Sequence, residues 1–231
     1  MELVERMNIP LCQKTKIPVK TLVEQLETGP SQKKLLESHI ANMYLVSLLN
    51  EQTIRIRAFK DEEHSYMAIY VFQIELKAND QLSEFCELVH SAFPESSVLL
   101  LKHKGNEYIS GAMKRINKQY KTKSVVEDTV WSVIEKDDDI DIKNIPAFDL
   151  KELYESVIRI IYSLKVKRIT GIYPKGEHDY KAVIKQYEVL NTDINKLKDD
   201  YKKASMRSEK LSIDDELYDK EKQLHELIAS L

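Results

Sequence analysis

From Glu177 to the end at Leu231 the chain has neither proline nor glycine, and its apolar residues keep one rhythm. Tyr180, Val183, Tyr187, Leu190, Ile194, Leu197, Tyr201 and Ala204 follow at alternating steps of three and four. Such a stripe averages 3.5 residues per turn, so it stays on one side only of a helix that winds left-handed about a neighbour, as in a coiled coil. The stripe breaks at Ser208. A second one, Ile213, Leu217, Leu224, Leu227 and Leu231, begins after Ser212, which with Asp215 gives a capping-box-like start. The expectation is a helical hairpin hinged at about 205–212. One helix over 178–206 would be ~43 Å long at 1.5 Å per residue, more than this chain needs for its own core. Such an arm is expected to meet a partner or a second copy; packing of the two helices on each other is the plainer alternative.

The body reads as a mixed sheet with helices. Residues 1–29, with Pro10, Pro18 and Gly29 around the short amphipathic piece Val19 to Leu26, are expected to form an arm packed on it. After Gly29-Pro30, Ser31 suits a helix cap, and Leu35, Leu36 and Ile40 continue at helical spacing. MYLVSLL at 43–49 and the alternation of Ile54, Ile56 and Ala58 with Arg55, Arg57 and Phe59 have strand character. YMAIYVFQIELK at 66–77 is apolar on both faces, which places it inside a sheet. Asn79-Asp80 offers a cap for a helix to about Phe93, followed by two strands around a Lys-Gly-Asn turn. Val130, Trp131 and Val133 suggest one more strand, 136–147 reads as an acidic surface loop, and Asp149 caps a helix with Leu150, Leu153, Val157, Ile160, Ile161 and Leu164 on one face. The division expected is an arm at 1–29, an α+β sheet domain at 30–176 and a coiled-coil arm at 177–231.

Composition limits the function classes. The chain has 231 residues with 35 Lys plus Arg against 38 Asp plus Glu, a net charge of -3 that points to no polyanion, and its 5 Gly and 6 Pro exclude collagen-like and low-complexity chains. No apolar run reaches the ~20 residues of a membrane span. The start MELVERMNIPLCQK has no secretory pattern, so a cytoplasmic location is expected, with Cys12 and Cys86 as free thiols.

Several blocks in order carry a resemblance: Ile9-Pro10 with Lys14, YLVSLLNEQTIRI, VFQIELK at 71–77, FDLKELYESVI, and the tail RSEKLSIDDELYDKEKQLHEL. Together they are similar to bacterial domain-of-unknown-function family 4391, over nearly the whole chain. Members often occur beside helicase and DNA methyltransferase genes of restriction and phage-defence loci. The resemblance thus implies, by association, a place near DNA processing.

Two candidate sites deserve weighing. Helix, three strands, helix and strands is also the element order of the PD-(D/E)xK nuclease core, and Glu75-Leu76-Lys77 stands on the third strand, where that core keeps its carboxylate and lysine. A carboxylate there would hold Mg²⁺ while the lysine steadies charge at the phosphate. The site needs a second acid, and a hairpin turning at 61–65 sets Gln52 and Thr53 opposite position 75. Glu51 reaches it only by a register shift, Asp61 lies at the wrong end, and Glu37 is a helix-surface candidate. The plainer reading of Glu75 and Lys77 is an ion pair at the sheet end. The second candidate is the strip from Lys102 to Lys123, where Lys114, Arg115, Lys118, Lys121 and Lys123 could track a phosphate backbone, although lysines guarding a sheet edge give the same composition.

The six histidines have no metal-ligand spacing, and no glycine-rich phosphate loop or nucleophile elbow occurs. No metal and no cofactor are therefore expected. The function expected is a non-catalytic accessory protein of a restriction or phage-defence locus. It would dock through its coiled coil onto a helicase, a DNA methyltransferase or itself, with a Mg²⁺-dependent nuclease and a DNA-binding subunit as the rivals.

Overall fold

In the computed structural model, which describes residues 3–26, 29–120, 123–176 and 178–231, the N-terminal segment is sewn onto a sheet. Helix α1 (Leu3–Arg6) buries Leu3 and Val4, strand β1 (Thr15–Lys16) pairs with the edge of the sheet, and α2 (Val19–Gln25) buries Leu22. In α3 (Pro30–His39) Gly29 is the N-cap and Pro30 opens the first turn, where its missing N–H is no loss. The expected cap, Ser31, already lies inside the helix.

Strand β2 (Ile40–Leu49) is followed by a single helical turn, α4 (Glu51–Ile54), at the expected turn, and residues 55–58 are irregular where alternation suggested a strand. The cause is local. The Asn50 side chain accepts the N–H groups of Gln52 and Thr53, and Thr53 Oγ1 accepts that of Asn50, a reciprocal cap that outweighs the period of Ile54, Ile56 and Ala58. Those three then pack on the core from irregular backbone. A small hairpin, β3 (Phe59–Lys60) and β4 (Ser65–Tyr66), leads to β5 (Ile69–Leu76). Helix α5 (Leu82–Ser91) starts from Gln81, at φ 50° and without a side-chain cap, rather than from Asn79 or Asp80.

Next come β6 (Ser96–His103), β7 (Asn106–Ile116) and β8 (Ser124–Ile134). Lys104 and Gly105, at φ 48° and 86°, form the two-residue turn between β6 and β7, whose positive angles glycine takes without strain. The remaining helices are α6 (Leu150–Thr170), α7 (Tyr180–Lys203) and α8 (Arg207–Ala229). Asp149 caps α6, its Oδ1 accepting from Lys151 N and Glu152 N at 3.0 and 3.1 Å.

The main sheet runs β1-β2-β5-β6-β7-β8, with β5 and β6 parallel and the other pairs antiparallel. β5 lies inside it, as its doubly apolar sequence requires. Period two splits β6 between layers: Val98 and Leu100 join Leu153, Val157 and Ile161 of α6, while Leu99 and Leu101 join Leu36 of α3 and Phe85 and Cys86 of α5. The result is a sheet covered on both faces by helices. The chain divides into two compact units, residues 1–164 and 165–231, and the division falls inside α6. Among the described residues no helix is long and apolar enough to cross a membrane.

Candidate functional site

Glu75 and Lys77 stand at the end of β5, but their neighbours differ from those the hairpin count suggested. Because α4 and the β3–β4 hairpin take residues 51–66 out of the main sheet, β2 pairs with β5 through residues 40–49 and sets Asn42, not Gln52 or Thr53, opposite Glu75. Asn42 Nδ2 donates to Glu75 Oε2 at 2.7 Å, and Lys102 is the register partner on β6. Lys77 Nζ donates to the Glu37 carbonyl at 2.9 Å, and its backbone N–H donates to the His39 carbonyl at 2.7 Å. Both bonds satisfy carbonyls left over at the C-terminus of α3, where a cation also suits the helix dipole. Glu75 thus meets an amide, and Lys77 a helix end. Among the described residues no three His, Cys, Asp or Glu side chains are grouped to hold a metal ion.

The basic strip is divided by the fold. Arg115 pairs with Glu127 of β8 at 3.1 Å, and Lys102 with Glu107 of β7 at 3.4 Å. Lys118 is exposed, Lys123 is exposed with its Nζ 5.5 Å from the Tyr120 ring centroid, and Lys121 lies outside the described residues. Lys114 points inward and is only 6% exposed. Its Nζ donates to the carbonyls of Phe93 and Glu95 at 2.8 and 2.7 Å, just past the end of α5. Desolvation lowers its pKa to about 7, with the Glu95 carboxylate acting the other way.

Sequence reading missed a buried polar chain under α5. His90 Nδ1 lies 2.8 Å from Ser97 Oγ, His90 Nε2 lies 3.1 Å from Ser110 Oγ, and Ser110 Oγ donates to the Val130 carbonyl at 2.9 Å. Since the Ser110 proton goes to Val130, the arrangement fits a neutral ring with its proton on Nε2 and with Nδ1 accepting from Ser97. Burial holds the His90 pKa well below its ordinary value and pushes the neighbouring Cys86 thiol up to about 12. Both are sealed from solvent, so the chain ties α5 to the sheet and offers no nucleophile. The signal available was a histidine and a cysteine inside an apolar helix stripe. On the opposite face the Tyr154 hydroxyl accepts from Ala112 N at 3.0 Å and reaches the Ser97 carbonyl at 2.9 Å. It fills the place where the β6–β7 ladder stops.

The second unit contains α7 and α8. Of the stripe on α7, Tyr180, Leu190 and Ile194 are buried, Val183, Tyr187 and Leu197 are half-buried, and Tyr201 is exposed; Ile184, outside that stripe, is buried as well. Lys198 pairs with Glu221 at 2.9 Å and Asp193 with Lys220 at 2.7 Å, so the two helices run antiparallel around the bend at 204–206. Their charges are complementary: α7 has six basic and four acidic residues, α8 four basic and seven acidic. No residue of α8 is fully buried. Ile213, Leu217, Leu224 and Leu227 are half-covered on the side that carries Lys220. Leu211 and Tyr218, seven residues apart and so on one line, lie roughly half a turn away and are 58% and 70% exposed.

Comparison with known proteins gives a family and no relative of known role: no curated protein and no solved structure matches the chain. The family match spans residues 10–224, and with it the sheet, the buried polar chain and nearly all of the hairpin, so the chain belongs to the family described as a domain of unknown function, DUF4391.

Proposed function

We propose that this chain is a non-catalytic interaction protein of a DNA restriction or phage-defence locus, and that it docks through its C-terminal helical hairpin onto a protein partner, a helicase or a DNA methyltransferase. The observation that carries the proposal is the incomplete cover of α8: a helix of 23 residues without one fully buried side chain, with Leu211 and Tyr218 turned to solvent. Helices of this kind gain most of their stability by burying an apolar face, so a face left open favours a second helical surface packing on it in coiled-coil fashion.

The body supports binding over cleavage. On this reading it is a PD-(D/E)xK-like scaffold in which Asn42 faces Glu75 and Lys77 holds the end of α3. Removing residues 178–231 is expected to abolish capture of a helicase or methyltransferase from extract of the native host, identified by mass spectrometry. Capture of the same protein at unchanged yield by the shortened chain would reject the proposal. A full-length chain that brings down only copies of itself would replace the partner with a homo-oligomer.

A further inference from the structure

A cleft opens at the hairpin end of β7 and β8, beside the turn between α5 and β6. It holds about 360 Å³, and its wall includes Met67, Glu95, Lys114, Arg115, Lys123 and Ser124. That volume lies in the range of small-molecule sites.

In its lining Lys114 is a cation taken out of water with no carboxylate in contact, the Glu95 carboxylate acting on it only from a distance. Two of the three ammonium protons go to the Phe93 and Glu95 carbonyls, and among the described residues no carboxylate lies within ion-pairing distance of Nζ. Buried charges are ordinarily paired, because the interior repays little of the lost hydration. An anion entering the cleft would supply the missing charge and accept the third proton. The rim adds the Arg115 guanidinium, the Lys123 ammonium and the Ser124 hydroxyl, while Met67, 55% exposed, offers an apolar wall for an organic group.

We infer that this cleft binds the phosphate group of a small organic phosphate, with Lys114 as its buried cation, Arg115, Lys123 and Ser124 around the oxygens, and Met67 against the organic part. A nucleic-acid strand fits less well. Lys102 is already paired with Glu107 along the strip and lies outside the cleft, while Glu95 and Glu127 lie beside it; a single phosphate needs only Arg115 to exchange Glu127 for a phosphate oxygen.

The charged or titratable groups facing Lys114 are Glu95, His90 of α5, Arg115 on its own strand and Lys123 on the β7–β8 connection. Since Lys114 loses its proton near neutrality, binding above pH 7 must take one up. A phosphate monoester stays dianionic over the same range.

Titration calorimetry of the full-length chain with adenosine monophosphate and with inorganic phosphate, at pH 7, 8 and 9 in two buffers of different ionisation heat, tests the inference. The expected result is saturable binding at pH 7 that weakens about tenfold per pH unit, with uptake approaching one proton. Lys114→Met is expected to lose at least tenfold in affinity while still unfolding in one cooperative transition no lower than that of the wild type, and Lys114→Arg to lose the pH dependence. If Lys114→Met does not fold, Arg115→Ala with Lys123→Ala must weaken adenosine monophosphate tenfold or more. Absence of binding at pH 7, affinity untouched by these substitutions, or binding of a 5′-phosphorylated DNA duplex without either small probe would each overturn it.

Discussion

Lys114 holds its charge between two backbone carbonyls in the lining of a cleft, and that placement has consequences for stability as well as for ligands. Its pKa is about 7 in the folded chain against 10.5 for a free lysine. Below pH 7 both the folded and the unfolded chain carry the proton; between 7 and 10.5 only the unfolded chain does. Stability in phosphate-free buffer therefore rises with pH across that window, by about 1.4 kcal/mol per unit from this group alone. Urea unfolding from pH 7 to 9 reads this directly. The wild-type curve should climb relative to that of Lys114→Met, which should be the more stable protein at pH 7. Equal slopes for the two chains would show that the amine is not desolvated. Composition placed Lys114 on a surface strip, because a run of lysines looks alike whichever way each side chain points. The orientation was legible only through period two on β7: Ser110, Ala112 and Lys114 share one face, and Ser110 touches His90 of α5.

At the scale of elements, long periodic segments were readable and short ones were not. β5 announced its interior position by apolar residues on both faces, and α6 by Asp149 followed by a wide apolar stripe. β1 has two residues and α1 four, too few to show any period. At 50–58 two signals conflicted, the alternation of Ile54, Ile56 and Ala58 against the cap made by Asn50 and Thr53, and the cap won because it satisfies N–H groups that alternation leaves open. That outcome moved the partner of Glu75 from Gln52 or Thr53 to Asn42. The packing of α6 on β7 depends on Gly111, where a Cβ would collide with Ile158 Cδ1 and come within 3.2 Å of Ile161 Cδ1. Gly111→Ala should displace the Ile158 terminal methyl, nudge that of Ile161 and destabilise the chain by about 1–3 kcal/mol, seen as a lower urea midpoint at unchanged m-value. An unchanged midpoint would mean that α6 yields freely at this contact.

At the scale of the whole molecule, the chain combines a sheet unit whose polar interior is closed with a helical unit whose apolar surface is not. The three-four rhythm from Tyr180 to Ala204 predicted the long helix, yet it could not say how much of the stripe its own neighbour would cover, since that depends on how α8 lies against α7. The buried apolar residues of α7 and two ion pairs join the helices and leave Leu211 and Tyr218 outside. Exposed apolar residues in line on a helix are the usual anchors of a helical partner. The direct test uses the intact chain with Leu211→Glu and Tyr218→Glu together, two exposed positions. Affinity capture from the native host, beside a melting curve of each chain, should show the wild type retaining a helicase or methyltransferase and the double variant losing it at least tenfold with the same melting temperature. Equal recovery of that partner by both chains would contradict docking through α8.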